Sequence, residues 1–173
     1  AMGFWSALRE VYPQTREQRC WVHKTANVLD QLPKKLQPMA KKMIQEIYLS
    51  PDKTQAERGM KKFVDTFEDK YPKAVMCLTK DEEKLLTFYD FPATHFQHIR
   101  PTNPIESSFS TIRLRTKKDE ENCGNRKTTL AIMFKLSQQV EKGWPKLRGF
   151  KEIPFLLEGK PYHNGSRMEN VVA

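Results

Sequence analysis

No stretch of this chain approaches the roughly 18 consecutive apolar residues that a membrane span needs, and no charged segment leads into an apolar one as in a secretory signal. Neither a membrane location nor export is therefore expected. Cysteine is scarce as well: Cys20, Cys77 and Cys123 are odd in number and widely separated. This argues against a disulfide framework and suits a reducing cytoplasm. Apolar residues make up 38% of the 173 positions, a little under the usual globular share even after glycine is added. Ten Phe, five Tyr and three Trp nevertheless supply enough bulk for a core, which excludes wholesale disorder. Internal repeats and low-complexity tracts are missing too.

Acidic charge is in deficit. Thirty Lys and Arg face 21 Asp and Glu, for a net +9. Residues 1–90 carry 16 basic and 13 acidic groups, whereas residues 91–173 carry 14 and 8. A basic excess concentrated toward one end points to a polyanionic partner, most simply nucleic acid. The opening Ala1-Met2-Gly3-Phe4-Trp5 begins at once with large apolar residues, which reads as a piece whose own N-terminus lies upstream.

Periodicity predicts a mainly α fold. Phe4, Trp5, Leu8, Val11 and Tyr12 form a helical stripe that Pro13 ends. Residues 18–22 are the one plausible strand, and a helix resumes through Val28, Leu29 and Leu32. Further helices are expected over about 38–49, 53–70, 72–78, 81–89, 103–118 and 126–144, with Asp81 as a cap, Pro51 at a first helical position and the last helix buried through Leu130, Met133, Phe134, Leu136 and Val140. Residues 159–173 read as a frayed tail. A lone strand at 18–22 would keep unpaired backbone groups, so it is expected to seek a sheet edge elsewhere, including on another copy of the chain.

The sharpest chemical candidate lies in Pro101-Thr102-Asn103-Pro104-Ile105-Glu106-Ser107. Asn103 suits an N-cap, Pro104 the first helical position and Glu106 the third, so Glu106 has a capping-box reading. It also has a metal-ligand reading, because a carboxylate suits a hard cation such as Mg²⁺. Glu106, Ser110, Arg113 and Lys117 fall on one helical stripe, and Ile105, Phe109 and Ile112 on the apolar one. Cys20-Trp21-Val22-His23 has the spacing of half a zinc site, but Cys77 and Cys123 have no neighbouring ligand at suitable spacing and a structural zinc needs four. A buried Cys and a hydrogen-bonded His at a strand end is the preferred reading. The aromatic run from Phe88 to His98, Phe96 included, has both a base-stacking and a packing reading, of which packing is preferred. Arg100, Arg113, Arg115, Lys117, Lys118, Arg126 and Lys127 flank Glu106 and the loop after it, as candidates for phosphate contact.

Three long strings carry a family resemblance: GFWSALREVYPQTREQRCWVHKTANVL (3–29), HIRPTNPIESSFSTIRLRTKK (98–118) and CGNRKTTLAIMFKL (123–136). They resemble bacterial insertion-sequence transposases of the Mutator-like superfamily. The resemblance implies a DNA transposase with a ribonuclease-H-like core holding Asp, Asp and Glu around Mg²⁺ or Mn²⁺, with Glu106 matching the Glu and Cys20 and His23 matching a Cys-x-x-His signature. Both Asp positions would precede Ala1, and no Asp occurs here before Asp30. The chain by itself is accordingly expected to be inactive and to hold no metal. The implied layout is a core piece over 1–32, a helical insertion over 33–100, core helices carrying Glu106 over 101–146, and a weakly ordered tail over 147–173. Partners would be transposon-end and target DNA and further copies of the chain, in a bacterial cytoplasm at the nucleoid. A competing reading is a non-catalytic helical module that binds DNA or a sister subunit.

Overall fold

The computed structural model describes residues 2–101, 106, 109–110, 112–114 and 125–168, with side chains described from Ser6 onward within the first helix. The fold is mainly α. Helix α1 spans Met2–Val11, α2 Trp21–Leu29, α3 Gln37–Tyr48, α4 Lys53–Phe67, α5 Pro72–Thr79 and α6 Glu82–Leu86. Short 3₁₀ turns at Thr87–Asp90 and Ala93–His95 lead into α7, Phe96–Ile99. Residues 106, 109, 110 and 112–114 are helical. Beyond them come α8, Arg126–Glu141, then α9, Ile153–Leu157, and a two-stranded hairpin, β1 Tyr162–His163 with β2 Ser166–Arg167.

The core is a bundle of α2 to α6. Apolar residues at helical spacing turn Ala40, Ile44 and Ile47 of α3 toward Ala56, Met60, Phe63 and Phe67 of α4, and both helices close on Val28, Leu78, Leu85 and Phe88. Asp52 caps α4 by accepting from Gln55 N at 2.8 Å, and the Gln55 side chain reaches back to Asp52 at 2.7 Å. Pro51 thus precedes the cap rather than occupying the first turn. Helix α2 shares this core, with Trp21 and Val28 buried in it.

The expected strand at 18–22 is not one. Residues 15–20 have no regular secondary structure, and the helix already begins at Trp21. Its backbone groups find partners within the chain: Arg19 N donates to Lys84 O at 2.8 Å and Trp21 N to Arg100 O at 3.0 Å. Gln18 bridges the same surface, donating to Leu85 O and accepting from Phe88 N. The edge that would have invited another chain is thereby occupied.

Asp81 does not cap α6, since its side chain makes no capping bond. It faces Lys24, a buried lysine whose Nζ donates to Asp81 Oδ2 at 2.6 Å and to Cys77 O at 2.7 Å. Burial favours the neutral acid, but the Lys24 hydrogen bond and charge, helped by Arg19 and Lys80, outweigh it and hold the Asp81 carboxyl below its ordinary 3.8. Removing Asp81 would strand the buried ammonium, so Asp81→Ala is expected to cost about 3 kcal/mol, with Asp81→Ala/Lys24→Met recovering most of it. Because the folded pKa is depressed, the pair's contribution is complete above the unfolded value. It is lost as pH falls below about 4 and through the lower folded value. Denaturant midpoints for both variants across that range check this, and an Asp81→Ala protein as stable as its parent at neutral pH would contradict it.

Within the stretch 159–173 that reads as a frayed tail, residues 162–167 form a hairpin. Asn164 and Gly165 both have positive φ, 48° and 85°, as a two-residue hairpin turn requires. The turn docks on the helical bundle and the turns that follow it: Ala93 N donates to Gly165 O at 2.9 Å, Gly165 N to Tyr89 O at 3.1 Å, and Lys53 N to Asn164 Oδ1 at 2.9 Å. The buried His95 adds a second attachment through Nε2 and Gly149 O, 2.9 Å apart.

Candidate functional site: a carboxylate facing the first turn of α2

Glu106 is exposed, as are Ser110 and Arg113 on the same stripe, while Ile112 turns inward. Phe109, expected on the buried face, is 53% exposed. Asn103, Pro104 and Ile105, on which the capping reading rests, lie outside the described residues, as do Arg115, Lys117, Lys118 and Cys123.

Glu106 Oε1 lies 3.1 Å from Nε2 of His23. Two residues singled out separately in the sequence, one in the Cys-x-x-His string and one in the Pro-Ile-Glu string, thus meet in space. His23 projects from the first turn of α2. Cys20 is the extended residue immediately before the helix and contributes no side-chain capping bond. Among the described residues no group of three His, Cys, Asp or Glu is placed to hold a metal. No zinc site is assembled around Cys20 and His23 from these residues.

Arg100, a candidate for phosphate contact in the sequence, is occupied otherwise. Its guanidinium lies over the rings of Phe88, Phe96 and Tyr48 at 5.3, 5.7 and 6.0 Å. It donates to the carbonyls of Tyr48 and Phe96. Burial pulls its pKa below the ordinary value, against the opposing influence of Tyr89 and Tyr48. Arg100 therefore ties α3 to α7 just before the chain turns toward Glu106. Phe96 packs edge-on against Phe88 and Tyr89, at 4.9 and 5.7 Å, so the structure places it in packing. Beside Arg100 runs an open groove of about 460 Å³, whose lining includes Trp21, Val22, Thr25, Tyr48 and Lys41.

Arg126 and Lys127 are exposed at the start of α8, where Asn125 caps the helix by accepting from Thr128 N at 2.9 Å. No described residue of α8 is buried: Leu130 and Phe134, predicted to face a core, are 55% and 61% exposed. No helix among the described residues is long and apolar enough to cross a membrane.

Fold and site together define a basic helical module that presents a carboxylate–imidazole pair at its surface. The chain belongs to the Mutator family of transposases: the family described as "Transposase, Mutator family" matches residues 1–146. It is 48% identical over 165 residues to the transposase for insertion sequence element IST2 of Acidithiobacillus ferrooxidans, an alignment covering 95% of this chain and 55% of that protein. It is 45% identical over 169 residues to the transposase for IS6120 of Mycolicibacterium smegmatis, covering 98% of this chain and 52% of the relative. A more distant relative is the ISRM5 transposase of Rhizobium meliloti, 27% identical over 163 residues, with 91% of this chain and 39% of that protein covered. The chain spans about half the length of the first two of these relatives.

Proposed function

We propose that this chain is part of a DNA transposase that cuts transposon ends and joins them to target DNA, and that Glu106 is the chain's contribution to the metal-binding acidic set. The observation that carries the reading is the exposed Glu106 carboxylate, brought against His23 of the Cys-x-x-His string in a chain of this family. An exposed carboxylate in a basic neighbourhood suits a hard cation arriving together with a phosphate backbone. One carboxylate alone is an incomplete site, so the remaining ligands, Asp in the family pattern, would come from outside this chain. When bound, Mg²⁺ or Mn²⁺ supplies Lewis-acid activation of the attacking water or 3′-hydroxyl and stabilisation of the leaving oxygen. Glu106 then acts as a ligand and not as a general base. The exposed apolar side chains of α8 suit packing against the rest of a ribonuclease-H-like core. Mg²⁺-dependent nicking of transposon-end DNA by the full-length protein, compared with Glu106→Gln, tests the assignment. The 173-residue chain alone should not nick.

The cations that follow Glu106 in the sequence position the DNA backbone in this reading. Neutralising Arg113, Lys117 and Lys118 together should flatten the slope of log affinity against log salt by about 2 to 3. Neutralising Lys34, Lys35 and Lys41, which lie outside this stripe in the sequence, should leave it nearly unchanged. Equal slopes for the two triple variants would reduce the stripe to a solvated face.

A further inference from the structure

Net charge is concentrated in one stretch of the chain. Residues 126–151 hold seven Lys and Arg and a single acid, Glu141, which accounts for +6 of the overall +9. All seven basic residues are exposed. Elsewhere cations meet acids: Arg9 and Lys84 face Glu17, Arg16 faces Asp90, and Arg19 and Lys24 face Asp81. None of the seven forms an ion pair with an acid among the described residues.

Helix α8 sorts these charges to one side. Thr129, Ile132, Leu136 and Val140 recur at helical spacing and are its half-buried residues. Lys127, Ala131, Lys135, Gln138 and Lys142 recur at the same spacing on the opposite side, along about 22 Å of helix. Lys135, Gln138, Gln139, Glu141 and Lys142 line an open groove of about 450 Å³ whose lining side chains are all polar. Past the helix, Lys146 Nζ lies over the Phe150 ring at 5.3 Å, and Arg148 is exposed.

A surface that serves solubility alone mixes the two signs, because neighbouring like charges repel. Uncompensated cations with amide donors between them match a regular polyanion instead. Duplex DNA carries one negative charge per about 1.7 Å of axis, so a stripe of about 22 Å meets enough phosphates to engage each cation. Lys and Gln donating to phosphate oxygens position a duplex without reading its sequence. The half-buried side of α8 remains available for packing against protein.

We propose that the basic stripe of α8, continued by Lys146 and Arg148, is a surface for duplex DNA held by its phosphates irrespective of sequence, additional to the stripe that follows Glu106. The proposal rests on the reading of the chain as part of a DNA transposase and names a surface by which that DNA is held.

The test measures binding of the full-length transposase to two duplexes of equal length, a transposon end and an unrelated sequence, as salt is varied. Lys135→Gln, Lys142→Gln, Lys146→Gln and Arg148→Gln together are expected to reduce the slope of log affinity against log salt by about 3 to 4 on both duplexes. The ratio of the two affinities should not change. Lys142→Gln alone should reduce the slope by about 1, which keeps the test decisive if the fourfold change impairs folding. Lys135→Arg, Lys142→Arg and Lys146→Arg together keep the charges and should keep the parent slope. Parent slopes in the Gln variants overturn the proposal and leave the stripe a solvated face or a protein contact. A loss confined to the transposon end also overturns it, because the surface would then be reading bases. A parent protein that binds neither duplex defeats the transposase reading itself, whereas a parent that binds with the Gln variants unchanged defeats only the role of the stripe.

Discussion

Glu106→Gln in the full-length transposase is expected to cut Mg²⁺-dependent nicking by about a thousandfold or more while leaving thermal stability within about 0.5 kcal/mol of the parent. The expectation of a large catalytic effect follows from charge. A metal ligand contributes to several kcal/mol of transition-state stabilisation, and about 4 kcal/mol already corresponds to three decades in rate. The expectation of a small structural effect follows from shape and exposure. Gln is isosteric, can replace Glu in a capping box, and still offers Oε1 to His23 Nε2. The Glu106→Gln change would thus keep an acceptor for His23 and remove the negative charge. This separates the two readings of the position, which Glu106→Ala would not do. Wild-type nicking by the Gln variant would leave Glu106 as a helix-start residue and no more.

Much of the bundle was legible in the sequence, because α3, α4 and α5 are each written by apolar residues at helical spacing between proline or aspartate punctuation. Their observed limits, Gln37–Tyr48, Lys53–Phe67 and Pro72–Thr79, lie within a few residues of the predicted ones. The misreadings arose where tertiary partners decide. Trp and Val in residues 18–22 have strand propensity, but docking against Lys84 O, Leu85 O and Arg100 O settles the local conformation instead. Asp81 has the residue type and position of a cap, yet a buried Lys24 competes for it successfully. Arg100 sits in a basic neighbourhood, and only the rings of Tyr48, Phe88 and Phe96 around it reveal a packing role. The His23–Glu106 contact joins residues far apart in the chain, which no spacing rule addresses. The hairpin is legible at Asn164-Gly165, a strong short-range hairpin signal, although the weak periodicity around it reads as a frayed tail.

That hairpin gives the second large expected effect, on stability. Gly165 has φ 85°, and a Cβ there would sit 2.7 Å from Ala93 Cβ and 3.0 Å from Ala93 Cα. Gly159 has nearly the same φ, 74°, but a Cβ there meets nothing within 4 Å. The two positions therefore share the backbone cost of an L side chain at positive φ and differ in steric conflict. Gly159→Ala is expected to cost about 1 kcal/mol, the left-handed penalty alone. Gly165→Ala adds a clash with a backbone atom that has no side-chain torsion to relieve it, and is expected to cost about 3 kcal/mol in total. The added loss should come with faster amide exchange at Ala93 and Lys53, whose donors bind Gly165 O and Asn164 Oδ1. The consequence reaches the site through connectivity. In the sequence, Glu106 and α8 lie between Arg100, which is held in the bundle, and two attachments, Gly149 against His95 and Gly165 against Ala93. Releasing the return point frees one end of the segment that carries Glu106, so Gly165→Ala should also lower nicking by the full-length protein more than Gly159→Ala does. Equal destabilisation by the two alanines, with Ala93 exchange unchanged, would show that the turn is not seated on the bundle in solution.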